Sequence, residues 1–298
     1  MNRREMLMAL GAPVGANPRT RLRVPVSVIK GDLAGIEATL NGEPTKVERL
    51  KGPPGDLLVL LVLDFSGDAA FPDAARAALE TAIGQMPTNA WIAVLRAQDG
   101  LRVLLDPSGD QAAVIAAIQA YSGGGKTGLL ETVEDAAKLG DRLLEKSSAR
   151  VAVVFCTDGS IYNYREDFTN PVINSSDSRD LSRRFPDQLI REKIQKVSDG
   201  LLRTETPIWL IHLHYRVDPI NEAYQGGLQQ LAEATGGTAT ICRGLTEIPE
   251  GVAAAFTHVR QHWSVVVALP TGQGRNVVVG LAAPECEMSY RQRFSVRR

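Results

Sequence analysis

The sequence predicts an α/β fold: a doubly wound, mainly parallel sheet flanked by helices, with a small β domain formed by the N- and C-terminal segments. Three observations carry this. Leu57–Leu63 and Val151–Phe155 are uninterrupted apolar runs of strand length, as expected for strands buried on both faces. Between and after them, strand-like and helix-like patterns alternate at the spacing of strand–helix–strand units. Both ends of the chain instead show period-two alternation, the mark of half-buried antiparallel strands.

Taken in order, Met1–Ala16 has paired Arg3 and Arg4, an apolar stretch through Ala12, and small Val14 and Ala16 two apart. This pattern predicts an export leader of the twin-arginine kind, hence a periplasmic or secreted protein. Residues 17–55 form the first β segment. Leu22, Val24, Val26 and Val28 alternate with polar neighbours and Pro25, and Asn41-Gly42 between Ile36–Leu40 and Thr45–Leu50 signals a hairpin. Lys51–Gly55 breaks the pattern as a linker. Residues 56–261 form the α/β domain, with helices expected over Ala74–Ile83, Gln111–Tyr121, Leu129–Leu144, Leu189–Leu202, Leu228–Ala234 and Ile248–Arg260. Strands are expected over Trp91–Leu95, Leu101–Leu105, Ile208–Leu213 and Thr238–Ile241. Residues 262–298 return to β structure: Val265–Leu269, Val277–Leu281, and one period-two strand through Met288, Tyr290, Phe294 and Val296. The two ends are expected to meet in one small sheet.

Composition narrows the function. The chain has 298 residues, with Lys+Arg 33 against Asp+Glu 34, so no basic field points to nucleic acid. Its longest apolar run falls far short of the about 20 residues of a membrane-spanning helix. Three scattered cysteines, Cys156, Cys242 and Cys286, are too few for a disulfide scaffold or a structural zinc site.

Chemistry concentrates where strands end, since ligands of open α/β sheets bind outside the carboxyl ends of the strands. Asp64-Phe65-Ser66-Gly67-Asp68 follows the first buried strand, and Thr157-Asp158-Gly159 follows the second. Gly123-Gly124-Gly125-Lys126-Thr127 is a glycine-rich turn opening a helix. Oxygen-only ligands of this kind suit a hard cation, Mg²⁺ first and Mn²⁺ or Ca²⁺ next. Strand-end Asp and Ser also serve as helix caps or turn residues, and Asp68 alone reads as a cap of the next helix.

The arrangement resembles the metal-ion-dependent adhesion site (MIDAS) of von Willebrand factor type A domains, which have a Rossmann-like fold. That family's pattern is D-x-S-x-S, then a threonine, then the aspartate of a T-D-G. Asp64 and Ser66 match the first two positions, Thr127 the threonine and Asp158 the late aspartate; the second serine is Asp68 here. The flanks are also similar to a bacterial relative of that family described from Acidobacteria, with Lys126 an insertion-like departure in the turn. The resemblance implies a non-catalytic module. Its cation would be held by Asp64, Ser66, Thr127 and Asp158, with Asp68 as an extra or water-mediated ligand, and would accept an acidic side chain from a protein partner. A third carboxylate at Asp68 would tighten cation binding while weakening the pull on an acidic ligand. Lys126 would offset part of that charge, and Tyr162, Tyr164 and Phe168, in the long polar stretch Tyr162–Pro186, would supply contact area to the partner. A metal-dependent hydrolase and a metal-free scaffold are the alternatives.

Other motifs carry less. Gly125-Lys126-Thr127 lacks the upstream glycine of a phosphate loop, where Ala120 stands. Asp64-x-Ser66 lacks the second aspartate expected of a haloacid dehalogenase-type phosphatase. His258 and His262 lack the glutamate of a zinc protease helix and read as a packing pair. His212 and His214 read as partly buried histidines near the rim, and Cys156 as a buried structural thiol.

Overall fold

The computed structural model describes residues 20–66, 69–166, 168, 186–270, 272 and 274–296. The leader and Asp68 lie outside them.

The central sheet has six strands. β5 (Leu57–Asp64) and β8 (Arg150–Thr157) lie side by side in its middle, every residue buried. β9 (Ile208–His212) and β10 (Ala239–Ile241) extend it on one side, β6 (Ala90–Arg96) and β7 (Arg102–Ser108) on the other. All pairings are parallel except β6–β7, so β7 is an antiparallel edge. The alternation of β5 feeds two cores. Leu58, Leu60 and Val62 pack under α3 (Leu129–Lys146), α4 (Pro186–Leu201) and α5 (Pro219–Glu233). Leu57, Val59, Leu61 and Leu63 pack under α1 (Ala70–Gly84), α2 (Gln111–Ala120) and α6 (Ile248–Gln261). This double burial explains why β5 and β8 read as continuous apolar runs.

The terminal segments form two four-stranded antiparallel sheets rather than the single small sheet expected. One runs β13 (Glu287–Tyr290), β1 (Arg21–Lys30), β11 (Trp263–Ala268), β4 (Val47–Lys51). The other runs β14 (Arg293–Ser295), β12 (Asn276–Ala282), β2 (Glu37–Leu40), β3 (Glu43–Thr45). Leu22, Val24 and Val26 of the first sheet share a core with Val277, Val279 and Phe294 of the second. Two local expectations change accordingly. The hairpin at Asn41-Gly42 forms, with Asn41 at φ 52° and Gly42 at φ 89°, but its return limb divides: β3 pairs with β2 and β4 crosses to β11. The final period-two strand also divides, into β13 and β14, at Arg291. Its guanidinium turns inward to the carbonyls of Leu202 (2.5 Å) and Thr204 (2.8 Å) at the end of α4.

Where the chain enters and leaves the α/β layers, one buried side chain holds both crossings. Arg150 is 1% exposed. Its Nη1 donates to the carbonyls of Arg260 (3.0 Å) and His262 (2.6 Å), its Nη2 to those of Pro53 (3.2 Å) and Gly55 (3.4 Å). Two acceptors lie at the C-terminal end of α6, where unpaired carbonyls and the helix dipole favour a cation. Burial still lowers its pKa to about 10.

His262, beside this arginine, is not part of a metal pair. It is buried, its Nδ1 lies 2.7 Å from the carbonyl of Val259, and burial, helped by Arg150, lowers its pKa to about 3. The unfolded chain takes up a proton near pH 6.5, and the folded chain only near pH 3. Stability is therefore intact above pH 6.5 and falls as the pH drops toward 3, by up to about 1.4 kcal/mol per pH unit from this group. Denaturant titrations across that range are expected to show a shallower acid loss for His262→Gln than for the unaltered chain. Equal slopes would assign the acid loss to other groups.

Candidate functional site

The register of the two central strands builds the site. Asp64 pairs with Thr157 at the carboxyl ends of β5 and β8, so the residues that follow, Ser66 and Asp158, come out side by side. The backbone N–H of Ser66 donates to Asp158 Oδ1 at 2.6 Å, and the Ser66 hydroxyl lies 3.4 Å from the same oxygen. Ser66 Oγ is also 2.7 Å from Thr127 Oγ1. Thr127, at the start of α3, is held in turn by its N–H, which donates to the Asn163 carbonyl at 3.1 Å. Three side chains far apart in sequence thus converge through one serine hydroxyl.

Asp64 sits beneath, wholly buried. Its Oδ1 accepts from Gln98 Nε2 (2.8 Å) and the Gly128 N–H (2.9 Å), and its Oδ2 from Thr157 Oγ1 (3.0 Å). Burial pushes its pKa up to about 7, and the Asp158 charge adds to the rise, while the Gly128 and Thr157 hydrogen bonds oppose it. Tyr121 donates its hydroxyl to Gln98 Oε1 and is itself raised to about 12 by burial and the Asp64 charge. Glycines let these elements approach. A Cβ on Gly159 would stand 2.5 Å from Thr127 Oγ1, and one on Gly123, at φ +73°, would stand 2.9 Å from the Phe65 carbonyl.

The donor set fits a small hard cation. Neighbouring ligands of octahedral Mg²⁺ stand about 2.9 Å apart, given metal–oxygen distances near 2.05 Å. The 2.7 and 3.4 Å separations around Ser66 Oγ bracket that spacing. Among the described residues no three His, Cys, Asp or Glu side chains gather into a metal cluster.

The other sequence-derived residues divide. Lys126 is exposed on the turn before Thr127, and Tyr162 is 50% exposed with its hydroxyl on Asp218 Oδ1 at 3.1 Å. Asp68 lies outside the described residues. Tyr164 is corrected: it is 3% exposed, its hydroxyl meets Tyr224 at 2.9 Å and accepts from the Leu130 N–H, so it braces α3 and α5 from within. Phe168 is likewise buried, edge-on to Tyr164. His212 is buried with Nε2 2.9 Å from the Gly159 carbonyl, and burial lowers its pKa to about 4. His214 stacks on Phe71 at 4.3 Å. Gln98, Gly128 and Asn163 were not singled out by sequence reasoning, because each acts on the rim through one hydrogen bond and belongs to no motif.

Among curated proteins, none matches this chain. Solved structures with similar architecture include a von Willebrand factor type A protein from Catenulispora acidiphila (13% identity, 95% of this chain and 74% of that chain, TM-score 0.46). The PilB minor pilin from Streptococcus sanguinis is another (12% identity, 70% and 62%, TM-score 0.47). A third is proximal thread matrix protein 1 from the mussel byssus, with a zinc-occupied MIDAS motif (11% identity, 71% and 47%, TM-score 0.42). Among the described residues no helix is long and apolar enough to cross a membrane. The profile of the von Willebrand factor type A domain matches residues 59–160, the span that holds Asp64, Ser66, Thr127 and Asp158, and this part of the chain is a von Willebrand factor type A domain.

Proposed function

We propose that this rim binds a divalent cation, Mg²⁺ first with Mn²⁺ or Ca²⁺ as alternatives, and that the module captures a protein partner through an acidic side chain. The observation that carries the reading is that Thr127 Oγ1 and Asp158 Oδ1 both lie within 3.4 Å of Ser66 Oγ. When bound, the cation would supply a Lewis-acidic position for a carboxylate. The chain's own residues do the rest. Ser66, Thr127 and Asp158 offer oxygens; Asp64, expected from the sequence as a ligand too, has both oxygens engaged by Gln98, Gly128 and Thr157, and is proposed to act from behind them by ordering the start of α3. Asp68 is proposed as a further ligand, and Lys126 and Tyr162 as the flanks that meet the partner.

A non-catalytic role is supported by the surroundings of the rim. His212 is buried and bonded to a backbone carbonyl, so its imidazole is not offered to a substrate. The proposal extends to organisation and placement: an α/β domain over residues 56–261 set between β segments 17–55 and 262–298, in a chain exported by its first 16 residues.

Calorimetric titration of Mg²⁺, Mn²⁺ and Ca²⁺ into chelator-stripped protein tests the cation site. Saturable binding is expected, lost in Asp158→Ala and weakened at least about tenfold in Thr127→Ala. Absence of binding heat, together with a melting temperature that none of the metals moves, would favour the metal-free scaffold.

A further inference from the structure

The outward face of the β13-β1-β11-β4 sheet is built of cations. In the ladder Arg23 on β1 and Arg49 on β4 both pair with Val266 on the strand between them, so the two guanidinium side chains flank one valine. Two strand spacings put their backbones roughly 10 Å apart. Strand alternation decides which residues share this face. Leu22, Val24, Val265 and Val267 point into the sandwich core, which turns Arg21, Arg23, Val266, Arg49 and Lys51 to the opposite side. Val47 and Arg49 pair with the consecutive residues Val267 and Val266, leaving Glu48 as a bulge.

The result is a concavity of about 270 Å³ lined by Arg21, Arg23, Lys46, Glu48, Arg49 and Lys51, with Val266 as its floor. Carboxylates answer only part of this charge. Glu48 pairs with Arg21, and Glu205 lies 3.2 Å from Arg23. Among the described residues no carboxylate stands within ion-pair distance of Lys46, Arg49 or Lys51. Lys51 is half-buried, and burial together with Arg23 and Arg49 lowers its pKa to about 8. Like charges held this close across a sheet repel, and an anion between them removes that cost.

We propose that this concavity is a binding site for the phosphate group of a small phosphomonoester. Arginine forks match tetrahedral oxyanions bidentately, and a phosphomonoester carries close to two negative charges at neutral pH against the three unanswered cations. A sulfate ester or a carboxylate carries one. The cations line a hollow with an apolar floor rather than a flat stripe, which favours a small ligand over a charged membrane surface.

The test uses the full chain in chelator-containing buffer at constant ionic strength, so that the divalent-cation site plays no part. Inorganic phosphate and glycerol 3-phosphate are titrated by calorimetry and by amide chemical shifts, with acetate and chloride as controls. Saturable binding of both phosphates is expected, weakened about tenfold in Arg49→Gln and in Lys51→Gln, two variants that leave the sandwich core untouched. Glu48→Gln, which removes the one acid lining the hollow, is expected to tighten it about twofold. Equal responses to acetate or chloride, or binding unchanged in all three variants, would overturn the proposal. So would retention on phosphatidylserine vesicles that glycerol 3-phosphate fails to compete.

Discussion

Arg150→Met is expected to destabilise the chain by about 4 kcal/mol in equilibrium denaturation. Two opposed effects set this value. Removing a buried guanidinium relieves its desolvation, a real gain, since its pKa is already lowered to about 10 by burial alone. Against that stand four carbonyls that lose the guanidinium, on Pro53, Gly55, Arg260 and His262, of which Gly55 keeps a second donor in Asn89 Nδ2 at 2.9 Å. Each unsatisfied buried carbonyl costs about 1–3 kcal/mol, so the loss dominates. These carbonyls belong to the two places where the chain passes between the sandwich and the α/β layers. The variant is therefore also expected to be cut first near Pro53 or His262 in limited proteolysis. Arg150→Lys is expected to recover only about half of the stability, because an ammonium is a point donor and cannot bridge both crossings. A stability for Arg150→Met equal to that of the unaltered chain would mean that desolvation cancels the four bonds.

The sequence made the central sheet legible for a related reason: burial on both faces leaves no room for polar alternation, and β5 and β8 show none. Once those strands are adjacent, the motif at the end of each must share a rim, so Asp64, Ser66 and Asp158 could be named from their positions alone. What escaped reading was held by long-range contacts. Gln98 follows β6 as an ordinary polar residue, and only the fold puts its amide 2.8 Å from Asp64. Arg150 opens an apolar run and reads as a strand edge. Tyr164 stands in a polar neighbourhood that reads as a surface loop, yet the structure packs it against Tyr224. Helix α5 starts at Pro219 rather than at Leu228, where its apolar spacing begins, since Pro219 to Gly227 looks polar. In the fold Asp218 caps this helix, and Asn221, Tyr224 and Gln225 are buried in it. The divided terminal strands have the same origin, because period-two alternation reports a buried face but not which of two sheets owns it.

Gly128→Ala is the substitution expected to act on the fold and the rim together, by about 3 kcal/mol or more and with loss of the cation binding proposed for the rim. Gly128 precedes α3 at φ −126°, a conformation open to any residue, so the requirement for glycine is one of space. An added Cβ would drive into the Ala97 carbonyl oxygen and stand 2.7 Å from its carbon, and both are backbone atoms at the end of β6 that cannot rotate away. Relief needs the start of α3 to lift from the sheet. That motion stretches the 2.9 Å hydrogen bond from Gly128 N–H to Asp64 and carries Thr127 away from Ser66. The neighbouring turn supplies the contrast. A Cβ on Gly124 meets nothing within 4 Å, so Gly124→Ala bears only the strain of its φ of +102°, about 1–2 kcal/mol, and should leave the rim oxygens in place. Melting curves and metal titrations of the pair separate the two effects. If Gly128→Ala retained metal affinity while losing stability, the hydrogen bond from Gly128 to Asp64 would serve the fold alone, and the rim oxygens would be positioned by Asn163 and the serine backbone instead.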